Sequence, residues 1–426
     1  MLSNVAELAR QMSGPAWLIA QREALAQQVA DEGLPTAAVE AWRYSPISEV
    51  SLEQLLARAD ADSEASAQAD TPDALMSGGA LLAGQTHNGA PTGSAGDLPS
   101  GVTVTRLSEL SEDDGVDAQG PVVDTMAGLS RSLSPDTIVI DVAPGTVHEA
   151  PLVVLHHIDD SASAHPGLVV RHGADSEVSV VEHRSAGPAS LILPHTRIVV
   201  GDAARARHQV VQLLGTGAWQ MGTLSADVGA QATLRMGVGG FGGRYARLRT
   251  DCRLGGRGAS VELVAVSQTI EDETVDFRCF IDHDAPDTSS DLLFVGTLDD
   301  RSSSIYSGML RIAEGAVRSD AHQTNRNLKL SEDAWAESVP NLEILNNDVH
   351  CSHASSMGPV DPDHAFYLAS RGVPPEQAER LLVRGFLDQA IQRMPSARAA
   401  ELFTSGVEDR LDVRTAHLAS EGQGTT

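Results

Sequence analysis

Four residues that can bind soft metal ions lie within six positions of one another: Asp348, His350, Cys351 and His353. Thiolate and imidazole are ligands that soft iron and zinc prefer, and a carboxylate can support them. The segment has a strand-like pattern, and alternate side chains of a strand point to opposite faces. We therefore expect Cys351 and His353 to share one face, with His350 on the other, and to form a site that holds metal or sulfur.

The spacing alone leaves a structural alternative open. An isolated cysteine is often a small buried hydrophobe, and His353 could be a hydrogen-bonded interface residue. A metal site normally needs three or four ligands. A closed zinc site is disfavoured because no second pair of ligands follows at a recognisable spacing.

Other residues whose side chains could take part in chemistry give no pattern that indicates an active site. Cys252 and Cys279 lie in strand-like segments, where core packing is the default. His156 and His157 end an apolar strand without a pattern of partners, so we expect them at the surface or in a cap. The Gly-rich segment 237–243 lacks the Gly-Lys-Ser/Thr ending of a P-loop, so any ATPase activity must belong to a partner.

The composition excludes several classes of partner. Lys and Arg number 30 and Asp and Glu number 58, a net charge of -28, which repels nucleic acid and anionic membranes. Three cysteines in 426 residues indicate a reducing compartment, by default the cytoplasm. Neither an export signal at the start nor an apolar run of 18 residues is present in the sequence, so we expect no export and no membrane span.

The sequence divides into six segments that differ in composition and in the pattern of apolar residues. Residues 1–56 predict a small helical domain, and residues 57–101, rich in Ala, Ser and Gly, predict a linker or insertion of low complexity. Residues 102–136 connect these to a core of short alternating strands over 137–358.

A turn doublet recurs through the core at steps of 29, 27, 29, 26 and 31 residues. A nearly constant step that carries two or three strands is typical of a solenoid, in which each coil buries its inner face on its neighbours. A sandwich would also have short strands, but it would not be expected to keep one doublet in step, so a β-helix is favoured. The doublets are Gly173-Ala174, Asp202-Ala203, Gly229-Ala230, Gly258-Ala259, Asp284-Ala285 and Gly315-Ala316.

The chain turns helical again after the core. Asp361 followed by Pro362 predicts a helix start, and Pro374-Pro375 predicts a second one, so residues 359–395 form a helical hairpin, followed by a weakly patterned tail at 396–426. An acidic chain makes a DNA-binding helix-turn-helix improbable. We expect Phe366, Leu382 and Phe386 to form a docking surface for another subunit.

Several motifs resemble one known family. The segments Val349–His353, Phe366–Gly372 and Glu376–Leu382 resemble the C-terminal signature of the SufB/SufD family of iron-sulfur cluster assembly proteins. Elements elsewhere are similar to SufD in particular: Gly33–Thr36, Glu40–Tyr44, Gly296–Asp300 and Asp320–Leu328. The sequence departs from the family pattern in Ala354–Gly358, where Gly-Ala-Thr-Val-Gly is usual, and at His350, where Lys is common.

The resemblance implies a non-catalytic scaffold with a right-handed parallel β-helix flanked by helical domains. It implies pairing with a SufB-like subunit, docking of a SufC-like ATPase on the C-terminal hairpin, and a transient iron-sulfur cluster with no permanent cofactor. His353 is the first candidate for a cluster-building site shared with a SufB cysteine, Cys351 is the second, and Asp348 and His350 would support them from outside.

Two other functions remain as alternatives. One is a SufB-type subunit that carries the main cluster ligand, which the SufD-like motifs and the few cysteines disfavour. The other is a β-helix enzyme acting on polysaccharides, a class that is usually exported. A solenoid with exposed edge strands can also form a homodimer when its partner is absent.

Overall fold

The structure, a computed structural model, describes residues 3–50, 73–76, 79–93 and 95–422. It is mainly β, with a parallel β-solenoid between N-terminal and C-terminal helices. The predicted fold class is therefore confirmed. The helices are α1 (Ser3–Gln11), α2 (Ala16–Glu32), α3 (Asp73–Met76), α4 (Glu112–Gln119), α5 (Thr125–Leu133), α6 (Pro362–Ser370), α7 (Pro375–Ile391) and α8 (Ala397–Gly422).

Two long sheets form the walls of the solenoid. The first contains, in spatial order, β2 (Ala90–Thr92), β1 (Leu81–His87), β5 (Leu152–Ile158), β8 (Glu177–Ala186), β11 (Arg205–Leu214), β13 (Thr233–Phe241), β15 (Ser260–Thr269), β17 (Ser289–Leu298), β19 (Ser319–Lys329) and β21 (Val349–Pro359). The second contains β3 (Val102–Arg106), β4 (Thr137–Val142), β7 (Gly167–His172), β10 (His195–Val200), β12 (Trp219–Val228), β14 (Tyr245–Leu254), β16 (Thr274–His283), β18 (Ser303–Ile312) and β20 (Trp335–Ile344). Two short strands, β6 (Ser163–Ala164) and β9 (Leu191–Ile192), pair with each other, and β9 also pairs with β12.

Each coil of the solenoid contributes one strand to each sheet, and about eight coils stack in parallel. The predicted doublets lie in the turns that carry the chain from the second sheet to the first, and each turn has a left-handed residue within the doublet or one or two positions after it. Among the doublet residues themselves only Ala203 and Gly258 adopt this conformation, which is uncommon outside Gly, Asn and Asp. The left-handed residues are Asp175, Ala203, Gln231, Gly258, Asp287 and Arg318.

The two ends of the solenoid differ. At its beginning, β2 pairs with β1 and β3 pairs with β4, both antiparallel, so a strand outside the coil pattern covers each edge. At its end, β20 pairs with β18 and β21 pairs with β19, and neither has a second neighbour among the described residues. The solenoid is therefore capped at one end and open at the other.

Two predicted segments differ from the structure. The segment predicted as a linker contains β1 and β2 in its described part, because Leu81 and Leu82 pair with the apolar Leu152 and Val153 of β5. Their neighbours are small and polar, which hid this strand in the sequence. Residues 57–72, 77–78 and 94 of the predicted linker lie outside the described residues.

The C-terminal tail is the second difference, since most of it forms α8. A stripe of Ala399, Phe403, Val407 and Leu411, four residues apart, is buried against the outer side of the first sheet. A Cβ atom on Gly239 would lie 1.5 Å from the Phe403 ring, so the Gly-rich segment of β13 provides the space in which this ring packs.

The early coils enclose a charged cluster in the lumen, the interior space between the two sheets. Glu182 and Arg184 are 1% and 0% exposed, with Arg184 Nε 2.7 Å from Glu182 Oε1, and Thr196 donates to Glu182 Oε2 at 3.0 Å. The Nε2 atoms of His156 and His208 each lie 3.3 Å from the same carboxylate. Burial alone would raise the pKa of Glu182, but Arg184 and the two imidazoles overcome it and hold the pKa well below its ordinary value.

We expect Glu182→Gln to lower the free energy of unfolding by about 3–5 kcal/mol, because it leaves the Arg184 guanidinium buried without a counter-charge. Chemical denaturation at pH 7 measures this. The matched control is Glu177→Gln in the same strand, whose ion pair with Arg207 is part-exposed and should contribute at most about 1 kcal/mol. Equal effects of the two substitutions would contradict this account of the lumen.

Candidate functional site at the open end of the solenoid

The last strand of the first sheet, β21, brings Cys351 and His353 to one face. β21 pairs in parallel register with β19, so that Cys351 lies beside Ala321 and His353 beside Gln323. Ala321 and Gln323 are buried and face the lumen. Cys351 and His353 therefore face the lumen at its open end, on the same side of the strand as the alternation predicted.

The two side chains differ in accessibility. Cys351 is partly buried and packs against the apolar core of the lumen, whereas His353 is exposed. Their Cα atoms lie two steps apart along the strand, a distance of about 6.5 Å, so both side chains could contact one small ligand. Behind them Tyr306 donates to Gln323 Oε1 at 2.7 Å, and Gln323 Nε2 donates to the Asn341 carbonyl at 3.0 Å, which fixes the floor of the site.

The Cys351 thiol is not activated. Partial burial, with a smaller effect of the Asp320 charge, raises its pKa above the ordinary value. At neutral pH the group is a thiol, and a metal or cluster must displace its proton to bind.

His350 occupies the opposite, outer face of β21. Its register partner is Asp320, and the neighbouring Ser352 lies beside His322. His322 Nε2 lies 2.7 Å from Asp320 Oδ1, and its Nδ1 lies 2.6 Å from Ser352 Oγ. The prediction did not include His322, although it lies in the Asp320–Leu328 motif, because the pairing of β19 with β21 was not known from the sequence.

Asp348 lies in the turn before β21, away from the lumen. Its backbone N–H donates to Asn346 Oδ1 at 2.8 Å, and its carbonyl accepts from the Arg318 N–H at 2.6 Å. Its carboxylate is one of the charges that raise the pKa of Arg318. Asp348 is therefore placed to fix the turn that leads into the site.

The C-terminal hairpin stands on the outer side of the same solenoid. Asp361 caps α6 and Pro362 is its first residue, as predicted. Phe366 in α6 is 75% exposed, whereas Leu382 and Phe386 in α7 are half-buried, and Phe386 packs on the cluster that holds α7 against the first sheet. Tyr367 and Leu381 add exposed apolar surface.

The remaining two cysteines and His156 are buried inside the solenoid. Cys252 and Cys279 are buried in the lumen, and burial raises the pKa of both thiols. His156 is buried in the charged cluster, so the expectation of a surface or capping position was wrong for it. Its burial depends on Glu182 and His208, which are distant in sequence.

The features above define a class: a β-solenoid protein without a helix long and apolar enough to cross a membrane in the described part of the chain, with soft ligands at an open coil and a helical hairpin beside it. Comparison with known proteins agrees with this class. Residues 155–386 match the family model described as "SUF system FeS cluster assembly, SufBD core domain".

Individual relatives point the same way. An iron-sulfur cluster assembly SufBD family protein of Mycobacterium tuberculosis is 33% identical over 244 residues, which are 55% of this chain and 61% of that protein. The iron-sulfur cluster assembly protein SufD of Escherichia coli is 24% identical over 405 residues, 89% of this chain and 92% of its own length. SufD of Bacillus subtilis is 28% identical over 263 residues, 61% of this chain and 60% of its own.

The chain belongs to the SufB/SufD family of iron-sulfur cluster assembly proteins and is most like SufD. Its match to the mycobacterial relative spans about three fifths of that protein, whereas its match to Escherichia coli SufD covers nearly all of both chains.

We expect an alkylating reagent to label Cys351 alone in the native chain, since Cys252 and Cys279 are buried. Because the pKa of Cys351 is raised, the labelling rate should increase about tenfold per pH unit between pH 7 and 8.5. Mass spectrometry after timed labelling measures both, with Cys351→Ser as the blank. Fast labelling that does not depend on pH would show instead an activated thiolate.

Proposed function

We propose that this chain is a non-catalytic, cytoplasmic scaffold subunit that supports de novo building of iron-sulfur clusters with a SufB-like subunit and a SufC-like ATPase. The observation that carries the proposal is the uncovered last coil with Cys351 and His353 facing its open lumen. The family membership supports the cluster chemistry. The three unpaired cysteines are consistent with a reducing compartment.

The open coil supports pairing with another solenoid. The free edges of β20 and β21 present rows of backbone N–H and C=O groups that a partner strand can satisfy. Exposed Ile344, Leu345 and Met357 at the same end add apolar surface that a partner would cover. A SufB-like solenoid offers strands of the same kind, and a second copy of this chain could occupy the edge when that subunit is absent.

The ligand set supports a shared, transient cluster. Cys351 and His353 supply two donors, fewer than a stable cluster requires, so the remaining ligands must come from a partner across the edge. Thiolate binds iron strongly, and imidazole forms a site that releases its cargo more readily. His350, on the outer face, and Asp348, in the turn, would contribute by holding β21 in place.

The helical hairpin supports ATPase docking. Phe366, Tyr367 and Leu381 of the hairpin are all exposed, and large exposed apolar residues often mark interfaces. α7 packs directly on β15 and β17, so a force on the hairpin would reach the sheet that ends in β21.

The charge pattern of the solenoid is unfavourable for the rival polysaccharide enzyme. Such an enzyme needs two free carboxylates for acid-base chemistry. Several carboxylates along this solenoid lie in ion pairs with arginine and are not free, as in Arg257–Asp287, Arg301–Asp272 and Arg171–Asp141.

We expect His353→Ala to preserve the complex with co-expressed SufB-like and SufC-like subunits but to lower its cluster content by about tenfold, because a ligand is lost while the edge strands remain. Iron and sulfide are measured after anaerobic purification. The matched comparison is His350→Ala, on the opposite face of the same strand, which should lower cluster content less than His353→Ala does, because His350 is not a ligand. Unchanged cluster content in His353→Ala would show that this residue only packs at the interface.

We expect Phe366→Asp to weaken ATPase binding by about 30-fold, or about 2 kcal/mol, since an exposed aromatic side chain that the ATPase would cover is replaced by a charge. Leu382→Asp should weaken it too, with some loss of stability because Leu382 is half-buried. The control is Val147→Asp, a similarly exposed position (67%) in the first coil. Affinity is measured by titration with the purified ATPase, and full affinity of the Phe366 variant would place the docking surface elsewhere.

A further inference from the structure

Three metal-ligand side chains meet at the capped end of the solenoid, far along the chain from Cys351. His87 ends β1, His157 lies beside it in β5, and Asp159 follows that strand. One donor atom of each lies within 4.8 Å of the donor atoms of the other two. The family comparison assigns no role to these residues.

The distances fit a metal ion. His87 Nε2 lies 2.9 Å from Asp159 Oδ2, and His157 Nε2 lies 3.4 Å from Asp159 Oδ1. Donors around a tetrahedral zinc ion, with bonds of about 2.0–2.2 Å, are about 3.3 Å apart. Each imidazole nitrogen thus lies near one oxygen of the Asp159 carboxylate. The two N–O distances are close to the distance between two donor atoms bound to the same ion.

The cluster is held in shape by its surroundings. Asn88 donates to Asp159 Oδ2 at 2.9 Å and accepts from the Asp159 N–H at 3.0 Å, and Asn88-Gly89 form the tight turn between β1 and β2. His157 Nδ1 lies 3.1 Å from Ser185 Oγ, which orients the ring with Nε2 toward the carboxylate. Metal-bound histidines usually have such a partner on the second nitrogen.

The electrostatics favour a cation. His87 is only 8% exposed, and its Nε2, although close to Asp159, is buried without an aligned hydrogen bond among the described residues. The two imidazole rings are stacked 10° from parallel, with centroids 5.7 Å apart. The Asp159 carboxylate beside the two imidazoles supplies negative charge for a bound cation. His157 and Asp159 are part-exposed, which leaves an entry path and a free coordination position.

We propose that His87, His157 and Asp159 bind a divalent transition-metal ion, Zn²⁺ or Fe²⁺, which ties β1 to the first coil of the solenoid. Two imidazoles and one carboxylate with open positions suit these ions and not Mg²⁺, which prefers oxygen ligands in octahedral geometry. This proposal is independent of cluster assembly at Cys351 and His353.

The test uses the full chain with Cys351→Ser and His353→Ala, so that the open coil cannot compete for metal. After chelation and dialysis, Zn²⁺ and, without oxygen, Fe²⁺ are titrated, and Co²⁺ reports the coordination by its visible absorption. We expect one equivalent of Zn²⁺ or Fe²⁺ to bind at micromolar affinity, and we expect no binding of Mg²⁺.

Asp159→Asn and His157→Ala, both at part-exposed positions, should weaken binding at least tenfold. The matched control is Asp361→Asn, since Asp361 faces a single histidine, His364, and should leave binding unchanged. His87→Ala should abolish binding, and circular dichroism checks that each variant is folded. Equal metal affinity in the parent, Asp159→Asn and His157→Ala would overturn the proposal, as would no binding by the parent.

Discussion

Parallel, in-register pairing of successive coils is the interaction on which the rest of this structure depends. Each strand of the solenoid satisfies its backbone groups only through the coil before it and the coil after it, with register partners 26–32 residues apart. Such an assembly has two ends by necessity. Here the antiparallel strands β2 and β3 cover the first end, and β20 and β21 leave the second end unpaired. The unpaired end is also the place where Cys351 and His353 face the lumen, so the same constraint creates the open edge and exposes these two side chains.

The side chains that fill the lumen change from charged to apolar along the solenoid. Its early coils hold Glu182, Arg184 and the imidazoles of His156 and His208 in a buried cluster, whereas the later coils around Cys252, Cys279 and Phe294 are apolar. Buried charges cost desolvation energy unless every partner is present, so the polar part of the lumen requires correct stacking of several coils at once. The apolar part reaches the last coil through Val349 and Cys351. Partial burial at the edge of this apolar core raises the pKa of the Cys351 thiol.

The sequence was sufficient to predict the solenoid, because the turn doublets recur at the coil step, in turns that each contain a left-handed residue. It was also sufficient to predict that Cys351 and His353 share a face, since that follows from strand alternation alone. It could not predict which residues meet across coils. His87 meets Asp159 only because β1, in a segment of low complexity, adds to the first sheet, and His322 meets Ser352 only through the register of β19 with β21. The helix α8 was missed because its stripe of Phe403, Val407 and Leu411 is interrupted by small and polar residues.

The central claim is that the uncovered edges of β20 and β21 are the surface at which a SufB-like partner completes the cluster site. Amide hydrogen exchange tests it most directly, with the isolated chain compared with the purified complex. In the isolated chain, amides on the free edges of both strands should exchange quickly, while those of β16 and β17 in the stack are protected. In the complex the amides of β20 and β21 should become protected together. Continued fast exchange of both strands, with new protection only on the hairpin α6–α7 or on the N-terminal helices, would contradict the account.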